Sequence, residues 1–233
     1  MDPQNVLADT ALVFDLDGTL VDTAPDLHAA ANYTLAHFGY ETVSMPIISK
    51  FVGIGAKAML TAALAVQDKS VKASELAAMF NLFLDFYARH IAVHSQIFEG
   101  ARAALHRAEA AGALLAVCTN KPQYLAEALL TELGLGTQFS AIVGADCVPR
   151  PKPDGDHIRY TLEKAGSTRS TAIMIGDSAA DRRAAYAAGL PFIYATFGYG
   201  DLENDLSEED FIMPHYDALH ARILPQLLKR SST

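Results

Sequence analysis

Five short runs of the chain are predominantly apolar and lack the alternation of polar and apolar residues that marks a strand with one face in water. They fall at residues 11–15, 113–118, 140–144, 171–176 and 191–195 and are rich in Val, Ile, Leu, Ala and Phe. Strands of this kind are typical of a parallel sheet that is covered on both faces. These runs therefore predict a buried parallel sheet.

Helical stretches separate the later runs. The segment KPQYLAEALLTELGLG has Pro122 near its start, leucines at helical spacing and Gly134 as a stop signal. The segment from Ser178 to Gly189 and the segment that ends at Gly112 have the same character. Because strands that alternate with helices form right-handed crossovers, the pattern predicts an α/β fold with a doubly wound, Rossmann-like parallel sheet.

The alternation is interrupted between about residues 23 and 98, where no convincing strand is found and three stretches have helical periodicity. We therefore expect an α/β core formed by residues 1–22 and 98–233, with residues 23–97 inserted as a helical cap domain. Thr23 and Asp26 are expected to act as a capping pair for the first inserted helix. Because the insertion follows the first strand directly, it could lie over the strand ends as a lid.

The composition is that of a globular protein and argues against several classes of partner. Of the 233 residues, 51% are hydrophobic and 19% are charged, and the net charge of −9 disfavours nucleic acid and anionic membranes as partners. No apolar run approaches the length of a membrane span. The first residues lack the pattern of a signal peptide, and Cys118 and Cys147 do not form a disulfide framework. We therefore expect a cytoplasmic protein, either a monomer or a homodimer.

Polar residues follow four of the apolar runs. In a doubly wound sheet, ligands bind at the carboxyl ends of the strands, so these residues are candidates for one site. They are Asp15, Asp17, Gly18 and Thr19 after the first run, Thr119, Asn120 and Lys121 after the second, Lys152 beyond the third, and Asp177, Ser178 and Asp181 after the fourth. Their convergence at one edge of the sheet is the main functional signal in the sequence.

The types of these residues suit a phosphate and a metal ion. Several carboxylates at one edge repel one another unless a cation joins them, and hard oxygen ligands select Mg²⁺. Thr119, Lys152 and backbone N–H groups around Gly18 are donors suited to a phosphoryl group. A carboxylate beside a metal-held phosphate can attack it and form an aspartyl phosphate. A second carboxylate two residues further on could serve as general acid and base.

Other residues near these motifs have simpler interpretations. Lys121 is expected to be exposed and structural, and Asp22 to brace the first loop. Cys118 ends an apolar run and is expected to be buried and inert. Within the predicted cap, Lys57 in VGIGAKAML is a candidate for contacting substrate, because two glycines before a helix start would place backbone donors beside this cation. A solvated lysine at a helix start is the alternative.

Four motifs, DLDGTLVDT, TNK, RPKP and GDSAAD, occur in this order along the chain. In type, order and spacing the set resembles the four motifs of the haloacid-dehalogenase-like hydrolase superfamily, and the resemblance covers nearly the whole chain. It implies that superfamily's α/β core. The helical insertion after the first motif is similar to the superfamily's C1-type cap.

The resemblance also implies roles for the residues around the phosphate. Asp15 would be the nucleophile, and Asp17 would be the general acid and base. Thr119 would bind the phosphoryl group together with Asn120, and Lys152 would neutralise the nucleophile and the phosphate. The phosphate-binding set would be Asp15, Leu16, Asp17, Gly18, Thr119, Asn120 and Lys152.

A Mg²⁺ site follows from the same resemblance. Its ligands would be the carboxylates of Asp15 and Asp177 and the backbone carbonyl of Asp17. Asp181 would not bind the ion directly and would hold a water that is bound to it. If a helix begins at residue 178, Asp181 lies one turn beyond Asp177, which is consistent with one ligand and one supporting residue.

The expected function is the Mg²⁺-dependent hydrolysis of a small phosphorylated metabolite through an aspartyl phosphate. The phrases FVGIGAKAML, LAVCTNKP and FGYG resemble the branch that acts on 2-phosphoglycolate, which implies that substrate. The alternatives are a phosphosugar mutase with the same motifs, and a phosphatase for another sugar phosphate or for pyrophosphate. A binding module without catalysis would be expected to lack the nucleophile or the metal acids, and a metal-free dehalogenase would not need those acids.

Overall fold

The computed structural model describes residues 6–168, 170–202 and 205–230, with the backbone alone for Arg230. The strands are β1 (Thr10–Phe14), β2 (Val21–Asp22), β3 (Gln96–Ile97), β4 (Leu114–Cys118), β5 (Ala141–Val143), β6 (Thr171–Gly176), β7 (Phe192–Ala195) and β8 (Phe211–Met213). The α-helices are α1 (Ala24–His37), α2 (Met45–Ser49), α3 (Ala56–Ala65), α4 (Ala73–Arg89), α5 (Ala101–Ala110), α6 (Gln123–Glu132), α7 (Gly155–Lys164), α8 (Ala179–Ala188) and α9 (Leu224–Arg230).

Six of the described strands form one sheet in the order β5-β4-β1-β6-β7-β8, and every neighbouring pair is parallel. In the register of the central strand, Leu12 pairs with Leu115 on one side and with Ile173 on the other. The parallel sheet predicted from the five apolar runs is therefore confirmed. The sixth strand, β8, was not predicted, because three residues that include the exposed Ile212 carry too little pattern.

Both faces of the sheet are covered by helices, which explains why the strands lack polar alternation. Along β1, Leu12 and Phe14 belong to a core that also contains apolar residues of α5, α6 and α9, whereas Val13 faces a second core with residues of α7 and α8. All five residues of β1 are buried. Successive side chains of a strand point to opposite faces, so an element buried on both sides has to be apolar at every position.

Helices α1 to α4 pack around a core of their own. The side chains at its centre, among them Leu35, Ile48, Leu60 and Met79, are fully buried, and α1 packs along α4. Leu125 of α6 also contributes to this core, so the helical unit rests against the side of the sheet that carries α6. Among the described residues, no helix combines the length and the apolar character that crossing a membrane would require.

A small antiparallel ribbon joins the helical unit to the sheet. Val21 of β2 pairs with Ile97 of β3, and Asp22 pairs with Gln96. The expectation that no strand lies between residues 23 and 98 is wrong for β3, because a two-residue strand is too short to show a period. The chain passes from the sheet to the helices through β2 and returns to the sheet through β3. Both connections between the two parts therefore run through this ribbon.

The predicted capping pair at the start of α1 is wrong. The Thr23 hydroxyl donates to Oδ1 of Asp17 at 2.7 Å instead of capping the helix, and Asp26 accepts hydrogen bonds from the backbone and hydroxyl of Ser95 at 2.8 and 2.7 Å. The hydroxyl of Tyr199 accepts a hydrogen bond from the Thr23 N–H at 2.7 Å and so satisfies a free donor at the helix start. Both side chains therefore bond to residues outside α1.

A buried histidine, His157, supports the loop before α7. Its Nδ1 lies 3.2 Å from the backbone nitrogen of Lys152, whose N–H donates to it, and its Nε2 lies 3.2 Å from the carbonyl oxygen of Val143. Burial, together with the positive charge of Lys152, lowers the pKa of His157 from 6.5 to about 4. The ring is therefore neutral at pH 7, and protonation of Nδ1 would remove an acceptor that the loop uses.

We expect His157 to lower the free energy of unfolding, relative to a variant that lacks this histidine, as the pH drops from about 7 towards 4, because the unfolded histidine binds its proton near pH 6.5 and the folded one near pH 4. The contribution of this one group is about 3 kcal/mol over that range. Chemical denaturation at several pH values would measure it. His157→Gln keeps a donor and an acceptor without titrating, so the variant should gain stability relative to the wild type as the pH falls, and equal pH slopes for both proteins would contradict the assignment.

Candidate active site

The reactive edge of the sheet is built from the residues that directly follow β1 and β6. Asp15 continues the β1 ladder, since its N–H donates to the carbonyl oxygen of Ile175 at 2.9 Å. Asp177 comes immediately after the last residue of β6. The parallel pairing of β1 with β6 places these two acids at the same end of neighbouring strands, as the sequence predicted.

Three buried carboxylates lie together at this edge. Asp15, Asp177 and Asp181 each offer an oxygen within 4.8 Å of the others, and they are only 3%, 3% and 0% exposed. Burial, followed by repulsion from Asp181, raises the pKa of Asp15 to about 7 and that of Asp177 to about 8. A hard divalent cation would remove this repulsion, and three carboxylate oxygens are ligands of the type that Mg²⁺ accepts. The residues therefore fit such an ion.

Lys152 supplies a positive charge inside the cluster. Its Nζ lies 2.8 Å from Oδ1 of Asp15 and 2.6 Å from Oδ1 of Asp181. Burial opposes the charge of this ammonium, but the two carboxylates outweigh burial and hold the pKa of Lys152 above its usual range. Lys152 thus contacts Asp15, and its expected role in neutralising a nucleophile and a phosphate remains a prediction.

Asp181 is fixed from two directions. Its Oδ2 accepts hydrogen bonds from the N–H and the hydroxyl of Ser178 at 3.0 and 2.6 Å, while the Ser178 hydroxyl caps α8. The reciprocal bonds form a capping box. A methyl group at Gly176 would come within 2.4 Å of the Asp181 side chain, so close packing also restrains it. This arrangement suits the supporting role that the sequence predicts.

Asp177 is held by backbone and hydroxyl donors. Thr19 Oγ1 donates to its Oδ1 at 3.0 Å, and the N–H of Tyr199 donates to its Oδ2 at 2.8 Å. Gly18 has φ of +84° and passes so near that a Cβ there would lie 2.4 Å from Oδ2, and a Cβ at Gly198 would lie 2.2 Å from the Cβ of Asp177. Only glycine tolerates the conformation and the approach at position 18.

The prediction for Lys121 is wrong. This residue is 7% exposed, and its Nζ lies 2.8 Å from Oδ1 of Asp17, which also accepts the hydrogen bond from Thr23. Burial opposes its charge, but Asp17 outweighs burial and holds the pKa of Lys121 above its usual range. Its ammonium also lies 4.6 Å from the ring centroid of Tyr87 on α4. From sequence alone, a lysine that follows a strand is expected to be exposed. Only the fold shows that an acid and an aromatic ring surround Lys121.

The remaining phosphate-site candidates lie beside these groups. Thr119 is buried, its N–H donates to the carbonyl oxygen of Val143 at 3.0 Å, and its hydroxyl accepts a hydrogen bond from the N–H of Lys121 at 3.2 Å. The Asn120 amide donates to the carbonyl oxygen of Lys152 at 3.0 Å, which links two motifs. The N–H of Leu16 donates to Oδ1 of the neighbouring Asp15 at 2.7 Å. Their roles toward phosphate remain predictions.

Three other predicted residues have clear surroundings. Lys57 is exposed, and its Nζ lies 4.9 Å from the ring centroid of Phe80. Its contact with substrate remains a prediction. Asp22 accepts a hydrogen bond from the Tyr199 hydroxyl at 2.6 Å and therefore braces the loop as predicted. Cys118 is buried, which raises the pKa of its thiol to about 12 and makes it inert, also as predicted.

A small cavity lies where the helical unit meets this edge of the sheet. Its volume is about 50 Å³, and it is partly open to solvent. The residues that line it are Asp17, Leu27, Gly53, Gly55, Ala56, Met59, Phe83, Leu84, Tyr87, Asn120, Lys121, Pro122 and Leu125. Residues from α1, α3 and α4 thus face residues that follow β1 and β4, and Lys57 is not among them.

Comparison with known proteins agrees with this geometry. A family model described as haloacid dehalogenase-like hydrolase matches residues 12–195. The chain belongs to this hydrolase family. A phosphoglycolate phosphatase of Mesorhizobium japonicum is 39% identical over 94% of this chain and 96% of its own length, and one of Caulobacter vibrioides is 41% identical over 81% and 79%. The prediction that the chain is an enzyme, a phosphatase of this superfamily, is confirmed.

Solved structures share the haloacid dehalogenase-like fold. A crystal structure from Haemophilus somnus, described as a predicted phosphoglycolate phosphatase, has a TM-score of 0.82, 26% identity and coverage of 94% of this chain and 98% of its own. A β-phosphoglucomutase from Clostridium difficile has a TM-score of 0.76 at 19% identity, over 95% and 97% of the two chains. The second likeness shows the fold alone.

Tyr199 is a site residue that the sequence motifs did not reveal. Its N–H contacts Asp177, and its hydroxyl contacts Asp22 and the backbone of Thr23, so it joins the carboxylate cluster to the start of α1. The signal available for it was the phrase FGYG, in which two glycines flank the aromatic residue closely. A tyrosine between two glycines does not indicate by its sequence context which residues will form hydrogen bonds with it.

Removing the charge of Lys121 should destabilise the protein strongly, because it leaves Asp17 buried without its cation. We expect Lys121→Met to lower the free energy of unfolding by about 3–5 kcal/mol, as measured by denaturant titration. Lys57→Met, the matched change at an exposed lysine, should cost no more than about 1 kcal/mol. Adding Asp17→Asn to Lys121→Met should recover part of the loss. A similar small loss for both single variants would show that the pair is not buried.

Proposed function

We propose that the chain is a Mg²⁺-dependent phosphomonoester hydrolase that acts through an aspartyl phosphate, with 2-phosphoglycolate as its substrate. The observation that carries the proposal is the position of Asp15, buried at a strand end between Lys152 and two further carboxylates. The substrate comes from the relatives, several of which carry the name phosphoglycolate phosphatase.

In this proposal, Asp15, Asp177 and the backbone carbonyl of Asp17 would hold Mg²⁺, and Asp181 would support a water bound to the ion. The bound ion would supply positive charge to the transferring phosphoryl group, which is the main electrostatic aid in such reactions. The three-carboxylate cluster supports this assignment, since its mutual repulsion is relieved by a divalent cation.

Asp15 attacks phosphorus in the proposed reaction. The N–H of Leu16 and the ammonium of Lys152 contact Oδ1 of its carboxylate, and a carboxylate oxygen of Asp15 forms the new bond to phosphorus. The bond from phosphorus to the leaving oxygen breaks, and Asp17 gives that oxygen a proton. A water then attacks the aspartyl phosphate, Asp17 takes up its proton, and phosphate leaves with the carboxylate of Asp15 restored. Thr119 and Lys152 hold the phosphoryl oxygens throughout.

The helical unit is part of the proposal. We assign residues 23–97 to a cap that closes over the strand ends and excludes water, and residues 1–22 and 98–233 to the catalytic core. The separate core of helices α1 to α4 and the narrow β2–β3 ribbon support this division. The free thiols of Cys118 and Cys147 fit the reducing cytoplasm that we propose as its location.

A screen of small phosphate esters with and without Mg²⁺ tests the proposed activity. We expect release of inorganic phosphate from 2-phosphoglycolate in preference to sugar phosphates and pyrophosphate, and loss of turnover when the metal is chelated. Asp15→Asn should lower turnover of every ester by at least about 10³-fold, because the nucleophile is gone. Substantial turnover by that variant would reject Asp15 as nucleophile, and a rearranged sugar phosphate in place of free phosphate would identify a mutase.

Replacement of Asp17 should depend on the leaving group. We expect Asp17→Asn to slow the hydrolysis of an alkyl phosphate by about 10²–10⁴-fold, because the alkoxide needs a proton. An aryl phosphate with an acidic phenol needs much less help, so its aspartyl phosphate should form with a smaller loss. Single-turnover measurements on both esters separate this step from the later attack of water. Equal losses on both esters would reject the acid role.

A further inference from the structure

Two buried polar atoms at the cavity have no hydrogen-bond partner among the described residues. They are the hydroxyl of Tyr87, on a side chain that is 1% exposed, and Oδ1 of Asn120. The amide nitrogen of Asn120 is already used, since it donates to the carbonyl oxygens of Gly53 and Lys152 at 3.3 and 3.0 Å. Buried polar groups are nearly always paired, so both atoms indicate a ligand or water that enters the cavity.

The wall of the cavity also carries a positively charged side chain. Lys121 lies in this wall, and its ammonium lies 4.6 Å from the ring centroid of Tyr87. One hydrogen of that ammonium is directed to Asp17, and an ammonium has three donors. A donor hydroxyl and a positive charge therefore stand side by side at the junction of the helical unit and the sheet.

The rest of the wall limits the size and polarity of what can enter. Apart from the groups above and glycine backbone, it consists of apolar side chains, namely Leu27, Ala56, Met59, Phe83, Leu84, Pro122 and Leu125. One water needs roughly 10–15 Å³ of such space, so a cavity of about 50 Å³ holds only a few water-sized groups. A sugar ring, which needs several hydroxyl partners and more room, fits this wall poorly.

We infer that Tyr87 and Lys121 form a leaving-group subsite that takes a small carboxylate, with the Tyr87 hydroxyl and the Lys121 ammonium donating to its oxygens. The inference rests on the proposed function, because it gives the two-carbon acid of 2-phosphoglycolate a binding site beside the general acid Asp17. Tyr87 lies on α4. In this arrangement the helical unit binds the leaving group, and the edge of the sheet binds the phosphate.

The first test compares 2-phosphoglycolate with 2-hydroxyethyl phosphate, which has the same two-carbon length but carries an uncharged hydroxymethyl group in place of the carboxylate. We expect kcat/KM of the wild type to favour the carboxylate, and Tyr87→Phe to lower that preference about tenfold or more, mainly through KM. Tyr33→Phe, the same change at a 43% exposed tyrosine of α1, should keep the wild-type preference. A preference that is absent in the wild type, or unchanged in Tyr87→Phe, overturns the subsite.

The second test does not depend on the natural substrate or on the folding of a variant. Glycolate and ethylene glycol are compared as inhibitors of aryl phosphate hydrolysis by the wild type, and glycolate alone should compete. Equal inhibition by the two compounds, or none, overturns the subsite. If glycolate competes but 2-phosphoglycolate is hydrolysed no faster than other esters, the subsite stands and the proposed substrate fails. If 2-phosphoglycolate is preferred but Tyr87→Phe changes nothing, the proposed function stands and the subsite fails.

Discussion

The repulsion among three buried carboxylates at one edge of the sheet is the constraint on which the rest of the site depends. Asp15, Asp177 and Asp181 lie within a few ångströms of one another and away from water, where like charges interact strongly. Lys152 compensates for part of this charge, and a divalent cation would compensate for more. The surrounding structure consists largely of the donors and close backbone approaches that hold these acids in place, such as the glycines that pass within contact distance of Asp177.

The helical unit is connected to the same acids, so its position and the state of the site are physically linked. Thr23 at the start of α1 donates to Asp17, and Tyr199 joins that helix start to Asp177. From α4, Tyr87 covers the ammonium that balances Asp17. Each of these contacts joins the helical unit to a residue that follows a strand of the sheet. A movement of the helices would therefore change the surroundings of Asp17 first.

Much of the sheet could be predicted because burial on both faces leaves a strong mark on a sequence. A strand such as β1 has to be apolar at every position, and five strands carried this mark. The ribbon of β2 and β3, and the three-residue β8, are too short for any period to be visible. The cluster formed by Asp15, Lys152, Asp177 and Asp181 could be predicted for a related reason, because parallel strands bring the residues after their carboxyl ends to one edge.

The sequence by itself determined the chain order of strands and helices, the edge at which the acids meet and the kinds of ligand that suit them, because these follow from local pattern and from the direction of parallel strands. Only the tertiary structure decided the partners of Lys121, Thr23 and Tyr199. A lysine or a threonine after an apolar run looks solvated until elements far away in the chain enclose it. Whether such a residue is exposed or becomes part of the site depends on packing between the helical unit and the sheet, and no local pattern records that packing.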